Sequence, residues 1–97
     1  MLDGEIVYSS DDFVALRVAG SWMSFVRIDD YEPPTWPDGA RPKQIHLDLS
    51  VDDLDAAEDE AVRIGAVRAP EQTAPERWRV LIDPAGHPFC LSTQIPD

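Results

Sequence analysis

The sequence predicts an α+β fold: one strand–helix–three-strand (βαβββ) unit in the second half, preceded by a shorter version reduced to three strands. Three observations carry this. Residues 5–28 hold three short runs rich in β-branched and aromatic residues, separated by turn chemistry. Residues 44–65 pass from strict alternation to a helical apolar stripe. A Pro/Gly turn at 83–86 then splits two further apolar runs.

Glu5–Ser9, Phe13–Val18 and Trp22–Ile28 are the expected first strands, with Ser9-Ser10-Asp11-Asp12 and Ala19-Gly20 as reversals. Alternation puts Val14, Leu16 and Val18 on one face and Phe13, Ala15 and Arg17 on the other. Residues 29–43 carry Pro33, Pro34, Pro37 and Pro42, so they read as a rigid, extended connector, pinned by Tyr31 and Trp36. Gln44–Val51 reads as a strand, with Ile45, Leu47, Leu49 and Val51 toward a helix and His46, Asp48 and Ser50 away from it.

The helix follows at about 52–65. Asp52 is its expected N-cap and Gly65 its terminator, and Leu54, Ala57, Ala61 and Ile64 form the apolar stripe. Asp59 and Arg63 have the spacing of an ion pair, and the acidic run 52–60 reads as the solvated face. Ala66–Ala69, Trp78–Ile82 and Pro88–Thr93 complete the set of strands, with Asp83-Pro84-Ala85-Gly86 as a type I turn.

Composition bounds the function. The 97 residues include 19 acids and 8 bases, a net charge of −11, which disfavours phosphate backbones and anionic membrane surfaces. Cationic or neutral partners fit better, though acidity also serves solubility alone. A hydrophobic content of 43% supports a core. Cys90 is the single cysteine, so no intramolecular disulfide forms. No signal-peptide pattern or long apolar run is present, which points to a reducing, cytoplasmic setting.

The halves align on their glycines. Gly65 matches Gly4 and Gly86 matches Gly20, so each half runs strand, strand, tight turn, strand. The second half has a strand and helix ahead of this, where the first has only Met1-Leu2-Asp3.

The stretch IHLDLSVDDLDAAEDEAVRIGA (45–66), followed by WRVLIDPAGHPFCL (78–91), resembles the C-terminal βαβββ module of the vicinal oxygen chelate superfamily. Its members include glyoxalase I, extradiol dioxygenases and bleomycin-resistance proteins. The connector YEPPTWPDGARPKQIHLDL (31–49) further resembles an actinobacterial glyoxalase-like branch.

The resemblance implies one glyoxalase-like domain over 1–97: a truncated first module at 4–28, the connector at 29–43 and a complete module at 44–95. It also implies two modules curled around a cleft. The strands at 5–28 would then need cover, from a second copy in a homodimer (side by side or domain-swapped), from an upstream segment, or from the connector folded back.

In metal-dependent members, ligands come from the first and last strands of each module. His46 stands at one such place, whereas Ser24 and Cys90 stand where carboxylates are usual. The expectation is therefore no metal and no cofactor. Alternation makes His46 and Asp48 neighbours able to hydrogen-bond, for acid–base work, for ligand binding, or merely to satisfy each other. Cys90 reads as a small buried hydrophobe or, beside a base, as a nucleophile. Trp22 and Trp78 read as cleft-lining or as packing residues. His87 reads as structural or exposed.

His46, Asp48, Ser24, Trp22 and Cys90 are the candidate ligand-binding residues. The favoured reading is metal-independent binding of a small cationic or aromatic molecule in a cleft shared with a second subunit. The alternatives are a metal-dependent lyase, isomerase or dioxygenase, and a non-catalytic accessory or oligomerisation module.

Overall fold

Three antiparallel strands open the chain in a computed structural model that describes residues 4–18, 21–42 and 45–95. The Ala19-Gly20 reversal, Gln44 and the first three residues lie outside the described residues. By its internal packing the chain divides into two compact units, Met1–Glu32 and Pro33–Asp97. The α+β class holds, with strands in two sheets and one helix among the described residues.

In the first unit, β1 (Glu5–Ser9), β2 (Phe13–Val18) and β3 (Ser21–Val26) form a meander in the order β1-β2-β3. The first two strands match their expected limits, and β3 runs from Ser21 to Val26 rather than on to Ile28. A hydrogen bond from Ser10 N to Phe13 O (2.8 Å) closes the β1–β2 turn. The register of β1 slips between Ile6 and Tyr8, a bulge that kinks the strand. Ala15 is fully buried. Ile6, Tyr8, Trp22, Phe25, Val26 and Ile28 are each half or more exposed, so this sheet carries much uncovered apolar surface.

The second unit contains β4 (Asp48–Ser50), α1 (Leu54–Arg63), β5 (Val67–Arg68), β6 (Trp78–Ile82) and β7 (Pro88–Ser92). The sheet order is β4-β7-β6-β5, with β4 parallel to β7 and the rest antiparallel. The meander β5-β6-β7 repeats the strand order of the first unit, and β4 is added beside β7. The expected strand from residue 44 to 51 is shorter: only Asp48–Ser50 pair, against Cys90–Ser92. Ile45 is 64% exposed rather than turned to the helix.

The helix begins two residues later than expected. Asp53, not Asp52, is its N-cap, with extended backbone (φ −134°, ψ 113°) and a side chain that accepts from Ala56 N at 3.1 Å. Leu54, Ala57 and Ala61 are buried against Leu81, Leu91 and Ala66, with Leu49, Val51 and Phe89 at the margin. Ile64 drops out of the stripe because it is the C-cap, and it is half exposed. Gly65 N donates to Val62 O and Ala66 N to Ala61 O, the paired bonds of a Schellman terminator. Gly65 takes a positive φ of 122° there.

Charge pairing differs from the expected solvated face. Arg63 bonds Glu60 (Nε–Oε2 2.8 Å) rather than Asp59, and this bond lowers the Glu60 pKa from its ordinary value. Arg79 of β6 donates to Asp55, which raises the Arg79 pKa. Arg68 of β5 donates to Glu58 at 3.1 Å. Two helix acids are thus tied to the sheet beneath.

The other face of this sheet has its own small cluster. Ala69, Val80 and Cys90 are buried there, with Trp36, Trp78 and Ile82 against them. Trp36 comes from the connector, which belongs to this unit from Pro33 onward. The connector is not an extended crossover. Thr35 N donates to Arg41 O and Arg41 N to Thr35 Oγ1, both at 2.8 Å, closing it into a loop. Tyr31 lies in the first unit and is 42% exposed, so Trp36 alone does the expected pinning.

Candidate functional site

The site starts from strand periodicity. Alternation brings His46 and Asp48 to the face away from α1. The parallel register places Asp48 opposite Cys90 and Ser50 opposite Ser92. Hydrogen bonds from Cys90 N to Leu47 O (2.9 Å) and from Val51 N to Ser92 O (3.0 Å) bracket this register. On β6, Trp78 pairs with Ser92 and Val80 with Cys90. Strands β4, β7 and β6, with His46 two residues ahead of β4, therefore bring an imidazole, a carboxylate, a thiol, a hydroxyl and an indole together.

These groups line an open concavity of about 320 Å³, together with Gln94 and Ile95. His46 Nε2 lies 3.0 Å from Asp48 Oδ1, the hydrogen bond the alternation predicts. An ionised carboxylate only accepts, so this contact puts the ring proton on Nε2. The Asp48 side chain is 54% exposed and that of His46 31%, so both meet solvent at the mouth. Cys90 is buried at the floor. One ligand atom from each of His46, Asp48 and Cys90 lies within 4.8 Å of the other two. Trp78 is held upright by its indole N–H, which donates to Thr73 Oγ1 at 2.9 Å. The Gln72 amide donates to Val80 O (2.8 Å) and accepts from Val80 N (2.9 Å), fixing the strand that carries Trp78.

Of the five candidate residues, His46, Asp48 and Cys90 share this concavity. Trp22 and Ser24 lie on β3 of the first unit, where the Trp22 indole donates to Ser24 Oγ at 2.9 Å. His87 is structural, with Nδ1 2.9 Å from Pro88 O. Sequence reasoning missed Ser92 and Gln94 as lining residues. Their spacing from Cys90, with Ser92 at i+2 on the closing strand and Gln94 at i+4 just beyond its end, is the signal that could have found them. A second concavity of about 410 Å³, between the connector loop and Pro88, is lined by Thr35, Trp36, Gly39 and prolines, and carries no ionisable side chain.

A helix-backed mixed sheet with a polar concavity on its open face is the architecture of a βαβββ module. The family model described as a glyoxalase-like domain matches residues 1–92 of the chain. The chain belongs to that family, within the vicinal oxygen chelate superfamily. A comparison with curated proteins returned no match.

The superfamily's enzymes hold a divalent cation, and the donor set here bears on that. Hard cations take six or more oxygen ligands, or a rigid octahedron of them. Among the described residues lining the concavity, Asp48 is the one carboxylate, beside an imidazole and a thiol. This set does not fit a hard, oxygen-seeking cation.

Proposed function

We propose that the chain binds a small cationic or aromatic molecule in the β4–β7–β6 concavity, rather than running the hard-cation chemistry of the superfamily's enzymes. The observation that carries this reading is the half-exposed Asp48 carboxylate beside the Trp78 indole in one concavity. A carboxylate with an aromatic wall suits a cation with a flat or apolar body. The net charge of −11 draws such molecules in from solution.

A second copy of the chain completes the site in this proposal. Support comes from the large apolar residues of the first unit that are half or more exposed, the kind of surface that a partner covers. Light scattering should give twice the 10.8 kDa chain mass. A well-behaved monomer would sink the shared cleft. The single buried cysteine suits a reducing, cytoplasmic location, and among the described residues no helix is long and apolar enough to cross a membrane.

The test is a thermal-shift screen of cationic and aromatic metabolites. A ligand at a hundred times its Kd stabilises the fold by about 2.7 kcal/mol, a shift of several degrees. Asp48→Asn should remove the shift for cations, and Trp78→Ala for aromatic compounds. A flat screen would turn the reading toward an accessory or oligomerisation module.

A further inference from the structure

We propose that Trp36 of the connector is a specificity-determining residue of the β4–β7–β6 concavity. It closes the site at Cys90, admits cations with a short body and gives no room to a long apolar tail. This rests on the reading of that concavity as a small-molecule site, and adds the limit that the connector sets on ligand length.

Strand register carries the proposal. On the sheet face away from α1, three cross-strand pairs follow one another along β7 and β6: Ser92 with Trp78, Cys90 with Val80, and Pro88 with Ile82. Successive pairs on one face lie about 6.6–6.8 Å apart, two residues of strand rise. The concavity of about 320 Å³ takes Ser92, Trp78 and Cys90 from the first two pairs. The second concavity, of about 410 Å³, takes Pro88 from the third. Trp36 is a wall of that second space, and it also packs on the cluster of Ala69, Val80 and Cys90, which contains the middle pair. Its indole therefore stands over the middle pair, between the two spaces.

The wall is fixed in advance. Thr35, the residue before Trp36, donates its N–H to Arg41 O and accepts from Arg41 N on Oγ1, both at 2.8 Å. The Arg41 guanidinium donates to Pro33 O at 3.0 Å. These bonds tie the loop across its neck, so the indole is positioned before a ligand arrives.

Polarity then sorts the ligand. Asp48 pairs with Cys90 across β4 and β7, so its carboxylate belongs to the middle row. A cation held there meets the indole on the side toward Pro88. Beyond the indole the lining is proline, threonine and glycine, with no ionisable side chain. That space suits a methylene chain and offers nothing to a charged head. With Trp36 in place, a tail has to leave through the open mouth into water and gains no burial.

The experiment is calorimetric titration of the full chain with tetramethylammonium, butyltrimethylammonium and octyltrimethylammonium. Each is repeated on Asp48→Asn, and only the binding lost there is counted. This removes chains adsorbed on the exposed apolar residues of the first unit. In the wild type, the step from butyl to octyl should change Kd by less than about threefold. In Trp36→Ala the same step should tighten binding by at least about tenfold, because each buried methylene contributes roughly fourfold. Trp36 is partly buried, so its truncation can cost folding. Gly86→Ala provides a second arm with the indole intact. Its added Cβ would lie 2.7 Å from Pro33 Cβ and push the connector aside, so octyl binding should tighten by about threefold or more.

An equal dependence on chain length in the wild type, Trp36→Ala and Gly86→Ala overturns the partition. So does a wild-type chain that already gains the full octyl increment. In both cases Asp48-dependent binding of tetramethylammonium leaves the small-molecule reading standing. No Asp48-dependent binding of any of these ions, in the wild type or either variant, overturns that reading and the partition with it.

Discussion

Leu91→Ala should remove about 3 kcal/mol of the second unit's stability, within the range of about 2–5 for buried leucines. Leu91 is fully buried on β7, the strand flanked by β4 on one side and β6 on the other. Its side chain meets the helix face of Leu54, Ala57 and Ala61 together with Leu81. Alanine already fills two of those helix positions, so little remains that can collapse into the void. Small domains hold only about 5–15 kcal/mol in total, and a melting-point drop of roughly 12–24 °C follows for a domain of this size. Chemical denaturation with a helix-sensitive signal measures it. Leu91→Met, which conserves volume, should cost less than about 1.5 kcal/mol. An alanine cost below about 1 kcal/mol would show that α1 is not packed on this strand. Cys90, one residue earlier, points to the opposite face, so Cys90→Ser is expected to report on the concavity instead.

That two-sided strand also shows what the sequence could and could not reveal. Local chemistry was legible. Asp83-Pro84-Ala85-Gly86 closes as expected, with Gly86 N donating to Asp83 O and the Asp83 carboxylate accepting from Ala85 N and His87 N. Strands β1, β2 and β6 match their sequence limits. The N-cap was ambiguous because Asp52 and Asp53 are chemically equivalent, and only the extended backbone at Asp53 decides between them. Arg63 had acids available three and four residues back, and the nearer one won.

Non-local facts were out of reach. The short span of β4 reflects its pairing with β7, which is confined to Asp48–Ser50 against Cys90–Ser92. The pairing of Arg79 with Asp55 spans 24 residues. The register that sets Asp48 beside Cys90 depends on a parallel pairing across some forty residues, which no alternation pattern encodes. His46, Asp48 and Cys90 were therefore candidates together only through the family resemblance, and the register supplies their juxtaposition. Trp22 and Ser24 were candidates through the family resemblance, and the first unit shows them bonded to each other.

Gly86→Ala is the second large effect, and it tests how the connector is held. Gly86 sits at φ +85°, a conformation that costs an L-residue about 1–2 kcal/mol. A Cβ there would also lie 2.7 Å from Pro33 Cβ, and a proline ring has no rotamer by which to withdraw. The connector must therefore shift, for a combined expected loss of about 2–3 kcal/mol. Gly39→Ala separates the two contributions. Gly39 has φ +69°, but nothing lies within 4 Å of its added Cβ, so it should lose only the conformational part, about 1–2 kcal/mol. The difference between the variants is the contact with Pro33. Because Pro33 accepts from the Arg41 side chain across the loop that carries Trp36, Gly86→Ala should also loosen Trp36 from Val80 and Cys90. Tryptophan emission should then shift to the red in Gly86→Ala and stay unchanged in Gly39→Ala. Equal losses in the two variants, with no spectral change, would mean that the hairpin does not anchor the connector, and that Trp36 is held over the sheet by its own packing alone.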